Sequence, residues 1–423
     1  MHWFSIPLKY ALRNVVDKAE GPLMPFVALE HIDSGTGSLM GDFEWGLAPP
    51  DQYSRFREGD ILFGKLRPYL RKFWLADREG CCPTELLVLR PLPTLDPRFA
   101  YYLVQSENIV AKAQASAYGA KMPRTSWTIL GRLKVRLPPL PEQRAIAAFL
   151  DRETARIDAL VVKKRQLLRR LADYRTALIT RVITKGPQPY APVRDSGNRW
   201  IGEMPRHWTS CPLHRVLNPN VPLVYGILLP GPRLTEGVPY IGAGEVTSRK
   251  LKLDLLPRTT AEIAAEYPRS MMRAGELVYA IRGSFGNVEV IPPELDGVNL
   301  SRDAARIAPG SGANAPWLAY TLKSQSSQEQ FTYNELGAGV TGINIRDLKR
   351  VVLPVPPLEE QAEIVEILDS RLDVLDRLVE AIGTQIDRLR TRRQTLITAA
   401  VTGQIDVRQG ASYDDQDLVS LVQ

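Results

Sequence analysis

The chain has 423 residues, of which 44% are hydrophobic and 24% charged, and this length allows two or three folded domains. It contains no apolar run of about eighteen residues and no signal-peptide pattern, so we expect neither a membrane span nor a secreted protein. The cysteines Cys81, Cys82 and Cys211 form neither a disulfide framework nor a zinc-binding spacing, which favours a cytoplasmic setting, and the net charge of +7 is compatible with a polyanionic partner without requiring one.

Residues 1–136 predict a first globular segment of mixed α and β structure. Short apolar runs bounded by turn residues predict strands at residues 25–32 and 84–89, and residues 57–63 predict a turn that leads into a buried strand. Residues 96–112 carry apolar side chains at helical spacing and predict a helix. A polar, glycine-containing loop follows at residues 119–125.

Residues 137–186 predict a long helix. Its opening, Leu-Pro-Pro-Leu-Pro-Glu-Gln, suits a first helical turn, where proline needs no hydrogen bond and the helix dipole favours carboxylates. Apolar residues then recur with the alternating 3 and 4 spacing of a heptad seam, interrupted by Lys164, at Ile157, Leu160, Leu167, Leu171, Tyr174 and Leu178. At about 1.5 Å per residue the helix extends about 50 to 65 Å, too far to bury its seam in one small globule.

Residues 187–354 predict a short connector and a second globule with the same order of features. Predicted strands lie at residues 239–246 and 273–279, and a predicted helix lies at residues 316–329. A glycine-containing loop at residues 337–342 answers the loop of the first globule. Between these anchors the two sequences differ, which indicates one fold carrying two different surfaces.

The long helix also occurs twice. Its opening recurs as Val-Pro-Pro-Leu-Glu-Glu-Gln, and the shift that carries Gln143 onto Gln361 also superposes the Leu-Ile-Thr motifs at residues 178–180 and 396–398 without a gap. This agreement indicates an internal repeat. Residues 355–404 therefore predict a second long helix, interrupted by Gln385 and Arg392, with its seam at Leu375, Leu378, Ile382, Leu389 and Leu396. The acidic residues 405–423 predict a disordered tail.

The short connector determines how the two helices can meet. The second globule has to begin where the first helix ends, and the second helix begins where that globule ends. The two helices can then share their seams only by running antiparallel. We therefore expect an α+β protein in which two similar globules are joined by a long antiparallel helical pair with a pseudo-two-fold axis.

The sequence offers little catalytic machinery. It lacks the phosphate-binding loop Gly-x4-Gly-Lys-Ser/Thr, and Asn218–Val221 lacks the second proline and the aromatic residue of an amino-methyltransferase loop. The Gly-x-Gly at residues 242–244 indicates a turn. None of the four histidines pairs with a second ligand at metal-binding spacing. We predict no catalytic residue and no metal site.

Basic residues near the paired loops are the candidates for binding. They could form an ordinary solvated surface, or they could bind phosphates and, as Arg and Asn do, the edges of bases. In the first globule the candidates are Lys65, Arg67, Tyr69, Arg71, Lys121 and Arg124, and in the second they are Arg282, Ser284, Asn287, Thr341, Asn344 and Arg346. The cationic run at residues 163–170 of the first helix leaves the same two interpretations open, and the solvated face is the commoner one.

Together these motifs give the chain a family resemblance. The repeated Pro-Pro-Leu-x-Glu-Gln motif, the two Leu-Ile-Thr motifs, the Gly-Asp-Ile-Leu and Gly-Glu-Leu-Val strands and the segment at residues 195–205 resemble the specificity subunit of type I restriction-modification systems. The resemblance covers nearly the whole chain. It implies two target recognition domains, each reading half of a split asymmetric DNA site, and conserved helices that set the unread spacer between the halves.

The resemblance also implies partners. The specificity subunit of this family is not an enzyme: two modification subunits bind S-adenosylmethionine and methylate adenine, and two restriction subunits use ATP and Mg²⁺. No cofactor is then expected in this chain, and double-stranded DNA is the expected ligand. The leader before His207 has no equivalent before His2, so we expect either an upstream start or a first domain without a leader.

Two other hypotheses remain from the residues alone. A scaffold protein could use the helical pair to hold partners without reading DNA. A self-contained modification enzyme is disfavoured by the missing motifs. The sequence names neither the recognised bases nor the spacer length.

Overall fold

The computed structural model describes residues 3–19, 25–40, 46–47, 53–188, 191–247, 251–283, 286–333 and 342–407. Residue contacts divide the chain into two compact units. Unit 1 comprises Met1–Leu167 and Ala381–Gln423, and unit 2 comprises Leu168–Glu380. Each unit combines helices and strands, which confirms the predicted α+β class, and no described helix is long and apolar enough to cross a bilayer.

Unit 1 begins with a strand-rich segment. Its strands are β1 (Phe4–Pro7), β2 (Leu12–Val15), β3 (Lys18–Ala19), β4 (Pro25–Phe26), β5 (Gly46–Leu47), β6 (Tyr53–Phe56), β7 (Ile61–Gly64), β8 (Phe73–Leu75), β9 (Gly80–Pro83), β10 (Leu86–Pro91) and β11 (Lys134–Leu137). Its helices are α1 (Pro97–Gln105), α2 (Glu107–Ala115), α3 (Trp127–Leu130) and the first part of α4 (Leu140–Lys185).

Three sheets are formed by the described strands of unit 1. Their strand orders are β2-β10-β7-β8, β3-β6-β9-β4-β5 and β1-β11. Neighbouring strands are antiparallel, except that β4 and β9 are parallel. The main core joins the first sheet to α1 and to both long helices, through residues such as Phe63, Phe99, Leu150 and Ile397. The globule of unit 1 therefore builds its core partly from the long helices.

Unit 2 repeats this plan. Its strands are β12 (Val193–Asp195), β13 (Glu203–Pro205), β14 (Thr209–Pro212), β15 (Val224–Tyr225), β16 (Val238–Ile241), β17 (Arg258–Thr259), β18 (Leu277–Ala280), β19 (Val288–Val290), β20 (Asn299–Leu300), β21 (Ala304–Ile307) and β22 (Val352–Val355). Its helices are α5 (Ala261–Ala265), α6 (Ala315–Lys323), α7 (Gln325–Tyr333), α8 (Ile345–Leu348) and parts of α4 and of α9 (Leu358–Thr402).

The sheets show where the two units agree and where they differ. The order β15-β21-β18-β19 in unit 2 repeats β2-β10-β7-β8, and β14-β22 repeats β1-β11. The remaining described sheets differ. Unit 1 has the five-stranded sheet β3-β6-β9-β4-β5, whereas unit 2 has the three-stranded sheet β17-β16-β20 and, in its leader, the hairpin β12-β13. The shared sheets contribute to the main core of each unit, whereas the five-stranded sheet of unit 1 and the sheet β17-β16-β20 of unit 2 contribute to a second, smaller core.

Each helix predicted within a globule is in fact a pair of helices. The predicted helix at 96–112 breaks at Ser106 between α1 and α2, and the one at 316–329 breaks at Ser324 between α6 and α7. Each serine hydroxyl donates to the backbone carbonyl three residues earlier, at 2.7 Å and 2.6 Å. This local hydrogen bond competes with the helical one, so the helix turns there.

The repeated motifs of the long helices bind these helix pairs. The Leu-Ile-Thr threonines cap the second helix of each pair: Thr398 accepts from the Glu107 N–H at 3.0 Å, and Thr180 accepts from the Gln325 N–H at 2.9 Å. The glutamine that ends each Pro-Pro-Leu-x-Glu-Gln motif accepts from the backbone N–H of the residue before the first helix, Asp96 at 2.8 Å or Asn314 at 2.7 Å. The motifs thus satisfy helix ends that would otherwise lack partners.

A tyrosine–aspartate contact is also duplicated. Tyr102 of α1 donates to Asp151 of α4 at 2.8 Å, and Tyr320 of α6 donates to Asp369 of α9 at 2.5 Å. Burial raises the pKa of both tyrosines, so both phenols keep their protons and act as donors.

Within each unit the segments of α4 and α9 run antiparallel. In unit 1 Asp158 pairs with Arg393, and further along α4 Lys164 donates to Gln385, which lies earlier on α9. The equivalent pair in unit 2 joins Arg175 to Asp376. The direction of the helical pair is therefore as predicted.

The predicted seam is partly wrong. Ile157, Leu178, Leu375, Ile382 and Leu396 are buried, and Leu171 and Leu389 pack at the edges of the cores. Leu160, Leu167 and Leu378 are instead 40%, 43% and 43% exposed, and Tyr174 is exposed as well. From Ile157 the seam steps four residues to the buried Val161 rather than three to Leu160, so the inward face is rotated by one residue.

Two further predictions concern element limits. Both long helices lie inside the predicted segments 137–186 and 355–404. Ile405, which we assigned to the tail, is buried in the core of unit 1, and Val407 packs against that core. The prediction of a disordered tail is therefore wrong for these two residues, and positions 408–423 lie outside the described residues.

Candidate nucleic-acid interface

In unit 1 the structure brings the two predicted loops side by side. The first loop follows β7 and the second follows α2, about fifty residues later. The Arg67 N–H donates to the Pro123 carbonyl at 2.7 Å, and the Thr125 N–H donates to the Lys65 carbonyl at 3.0 Å. Arg67 also reaches the Lys121 carbonyl at 3.4 Å. Candidates that are distant in sequence thus share one surface, which we call the first loop pair (residues 65–71 and 118–125).

The backbone of the first loop is strained at two arginines. Arg67 (φ 48°) and Arg71 (φ 50°) have left-handed conformations and flank a single 3-10 turn, Pro68–Leu70. They are the only non-glycine residues with positive φ in the described part of the chain. This conformation costs about 1–2 kcal/mol at each such residue, and strain of this kind concentrates at functional sites.

Two arginines of the first loop pair, Arg124 and Arg71, form ion pairs with carboxylates of unit 1. Arg124 binds both carboxylate oxygens of Glu85 at about 3.1 Å, and this hydrogen bonding raises the pKa of the Arg124 guanidinium. Arg71 pairs with Glu107. Both arginines therefore hold the loops in place, which reduces their capacity to read bases.

The side chains of Arg67, Tyr69 and Lys121 extend from the first loop pair into solvent. Lys65, in the same loop, is half-buried. Tyr118, which we did not predict, is 65% exposed beside them, and its backbone exchanges hydrogen bonds with Arg124 at 3.0 and 3.1 Å. Its signal in the sequence was an aromatic residue next to glycine in a polar loop. Cations interleaved with exposed aromatic rings suit a nucleic acid.

Unit 2 builds the same loop pair from different side chains. Arg282, after β18, forms a β-bridge with Gly342, and the Ile343 N–H donates to the Ile281 carbonyl at 3.0 Å. These contacts repeat those of unit 1 at nearly the shift that relates the two long helices. We call this surface the second loop pair (residues 281–283, 286–287 and 342–346). The predicted residues Ser284 and Thr341 lie outside the described residues.

The other candidates of unit 2 have different roles. Asn344 caps α8: its side-chain oxygen accepts from the Asp347 N–H at 2.9 Å, and its amide donates to the Asp347 carboxylate at 2.5 Å. It is therefore engaged locally rather than free for a base. Asn287 is half-buried next to β19 and has partners of its own. Arg346 is 76% exposed, with Asp347 3.8 Å away.

A cleft in unit 2 adds residues that the sequence did not reveal. Its volume is about 420 Å³, and its walls include Arg282, Arg233, Tyr240 and the Gly-x-Gly turn after β16. Arg233 lies 3.4 Å from Glu245, and Arg282 lies 3.9 Å from Asp303, so one carboxylate orients each guanidinium, and neither has another ion pair within the part of the chain that the structure describes. Neither motif nor spacing distinguished Arg233, because the fold alone brings it to this cleft.

Comparison with known families decides the relationship. A family model described as the type I restriction modification DNA specificity domain matches residues 43–169 and 233–388. These two stretches make up more than half of the chain and contain both loop pairs. The chain belongs to this family. The resemblance drawn from the repeated motifs is thereby confirmed.

Curated specificity subunits of the family are similar along most of their length. The EcoBI specificity subunit of Escherichia coli is 25% identical over 328 residues, covering 76% of this chain and 68% of the relative. The MjaVIII specificity subunit of Methanocaldococcus jannaschii is 22% identical over 320 residues, covering 74% of this chain and 71% of the relative.

Solved structures agree on the fold. A chain from a study of complex assembly and conformational transition in the type I R-M system superposes with a TM-score of 0.72 at 21% identity, covering 96% of this chain and 98% of that one. The HsdS subunit of Thermoanaerobacter tengcongensis superposes with a TM-score of 0.50, also at 21% identity, covering 95% and 97%. At 21% identity these superpositions establish a shared fold and nothing further.

Proposed function

We propose that this chain is the DNA-reading, non-catalytic subunit of a cytoplasmic type I restriction-modification complex. Unit 1 reads one half of a bipartite, asymmetric DNA site through the first loop pair, and unit 2 reads the other half through the second. The supporting observation is that both units hold two loops together by the same backbone contacts while presenting different side chains. One frame with two surfaces suits a site with two unlike halves.

The same proposal assigns chemistry to partners. Two modification subunits bring S-adenosylmethionine and methylate adenine, and two restriction subunits bring ATP and Mg²⁺. The helical pair offers them equivalent surfaces, because the internal repeat superposes the exposed Leu160 of unit 1 on the exposed Leu378 of unit 2. Exposed apolar residues at equivalent positions suit two copies of one partner.

Methylation mapping tests this function. N6-methyladenine would be mapped genome-wide in a host that expresses the chain with its modification subunit, and again after deletion of the chain alone. We expect a split, asymmetric motif that disappears in the deletion strain. An unchanged methylation pattern, with the complex shown to assemble, would contradict the proposal.

A scaffold that never reads DNA is the second candidate, and the exposed leucines of the helical pair also support it. The two functions differ in their salt dependence. DNA affinity through phosphate contacts falls steeply as salt rises, whereas a scaffold has no such affinity to lose. Titration of a duplex against the assembled complex at several salt concentrations separates them.

A further inference from the structure

We propose that unit 1 has a second DNA contact, a cleft that binds backbone phosphates of the unread spacer next to the half-site of unit 1. The cleft has a volume of about 580 Å³ and lies between the first loop and the two long helices. Tyr69 and Arg71 form one wall, and Arg165 of α4 and Arg390 of α9 form another. The inference rests on the proposed function, because it extends the DNA surface of the first loop pair onto the helices.

The position of the cleft supports this contact. Tyr69 belongs to the first loop pair and is 48% exposed, so the cleft begins where the candidate base-reading surface ends. Val161 and Arg165 lie four residues apart on α4, which places them on the same helical face, and both line the cleft. Duplex DNA carries one charge per about 1.7 Å of its axis, so its backbone continues past the half-site along such a surface.

The charge of the cleft favours a phosphate ligand. Four arginines and two carboxylates line the cleft. The arginines are Arg71, Arg165, Arg390 and Arg393, and the carboxylates are Glu107 and Asp158. Glu107 pairs with Arg71, and Asp158 pairs with Arg393, so two guanidinium groups exceed the acids of the cleft. Arg165 has no ion pair or hydrogen bond within the described residues, and Arg390 has only an exposed contact with Asp387 at 3.3 Å. A surplus of accessible guanidinium groups suits phosphodiester oxygens.

A buried arginine fixes the floor of the cleft. Arg393 is 7% exposed and contacts Asp158 at 3.0 Å, the Gly35 carbonyl at 2.8 Å and the Thr36 carbonyl at 3.1 Å. It therefore ties α9 to α4 and to a loop of the globule. Arg165 and Arg390 therefore project from helices whose packing is already fixed, so little order has to be gained on binding.

The repeat makes this contact asymmetric. When the two long helices are superposed by their shared motifs, Arg165 corresponds to Gly383 and Arg390 to Ala172, whereas Arg393 corresponds to Arg175. Unit 2 thus retains the ion pair, in a more exposed form, and lacks both Arg165 and Arg390 at the equivalent positions. We therefore expect these spacer phosphate contacts only on the side of the half-site read by unit 1.

The test uses the assembled modification complex and a duplex carrying its mapped site. The variant Arg165→Gln/Arg390→Gln removes both accessible cations of the cleft. The matched control Arg156→Gln/Arg388→Gln removes two exposed cations of the same helices that do not line the cleft. We expect the slope of log affinity against log salt, which is negative, to become less steep by about 1.8 for the first variant relative to the control, at about 0.9 per phosphate contact.

Replacing spacer phosphates by uncharged methylphosphonates shows where on the DNA the cleft binds. Methylphosphonates in the spacer next to the half-site of unit 1 should weaken binding by the wild type and the control, and should weaken the cleft variant no further. An unchanged salt slope, or an equal loss for all three proteins, would overturn the inference while leaving site-specific binding intact. No preference of the wild-type complex for its mapped site over a scrambled duplex would overturn the proposed function itself.

Discussion

Units 1 and 2 share the contacts that hold their helices and loops together, which we call the shared frame, and differ in the side chains exposed on their loop pairs. The glutamine and threonine contacts to the helix pairs, the tyrosine–aspartate contact and the pairing of the two loops recur at a nearly constant shift. The exposed side chains on the loops do not recur. This contrast indicates that duplication preserved the contacts satisfying buried polar groups, which are costly to lose, and freed the surface to diverge.

Breaking the shared frame should cost the most. Val161→Asp buries an unpaired carboxylate in the seam and should destabilise unit 1 by about 3–5 kcal/mol, whereas Leu160→Asp, one residue earlier and 40% exposed, should leave unit 1 folded. Thermal melting and hydrogen exchange of the two variants measure this difference. Equal loss of stability in both would mean that the helical seam is placed wrongly.

Removing the arginine of the Arg393–Asp158 pair should cost more stability than removing that of the equivalent Arg175–Asp376 pair. Arg393 is 7% exposed and holds two backbone carbonyls besides Asp158, whereas the side chain of its counterpart Arg175 is 34% exposed and pairs with Asp376. Arg393→Ala should therefore destabilise unit 1 by about 3 kcal/mol, because the carboxylate and the carbonyls lose their donor. Arg175→Ala should cost less than about 1 kcal/mol. Unfolding monitored by hydrogen exchange in each unit reports both values, and equal costs would contradict the asymmetry.

Substitutions on the loops should separate the half-sites. Arg67→Ala should weaken discrimination at the half-site of unit 1 by about 1–3 kcal/mol, and Arg282→Ala should do the same only at the other half-site. Competition with duplexes altered in one half measures each effect, and Arg132→Ala, an exposed arginine outside the loops, serves as the control. A loss spread evenly over both half-sites would show that these arginines contact only phosphates.

Disturbing the partner surfaces should have the mildest consequence. Leu160→Asp and Leu378→Asp should each weaken the docking of one modification subunit about tenfold, which is about 1.4 kcal/mol, and the double variant should weaken the docking of both. Native mass measurement of the assembled complex gives the stoichiometry. If either single variant lost both modification subunits together, the two surfaces would not be equivalent.

The repeat explains why the sequence revealed so much of the frame. A constant shift aligned the motifs, so the antiparallel helical pair and the α+β globules followed from the connector length and the heptad pattern. The breaks at Ser106 and Ser324 were missed because apolar periodicity continues through them, while the hydroxyl hydrogen bond that causes each break depends on local backbone geometry. The seam was misplaced at Leu160 because Leu160 and Val161 are both apolar, and the sequence pattern does not show which of the two is buried.

The candidate site was predicted less completely. Charge and loop position selected Arg67, Tyr69 and Arg282, which the structure places on the loop pairs. They could not show that Arg124 and Asn344 have local partners, because Glu85 and Asp347 meet them only in the fold. Arg233 and the arginines of the unit 1 cleft were likewise brought together by tertiary structure, which no short motif records.

Methylation mapping with a hybrid chain gives the sharpest test of one half-site per unit. Residues 1–136 would be replaced by the corresponding segment of another member of the family, and N6-methyladenine would be mapped in the same host. We predict that one half of the recognised site changes while the other half and the spacer length stay the same. A change in both halves, or in neither, would contradict the assignment of one half-site to each unit.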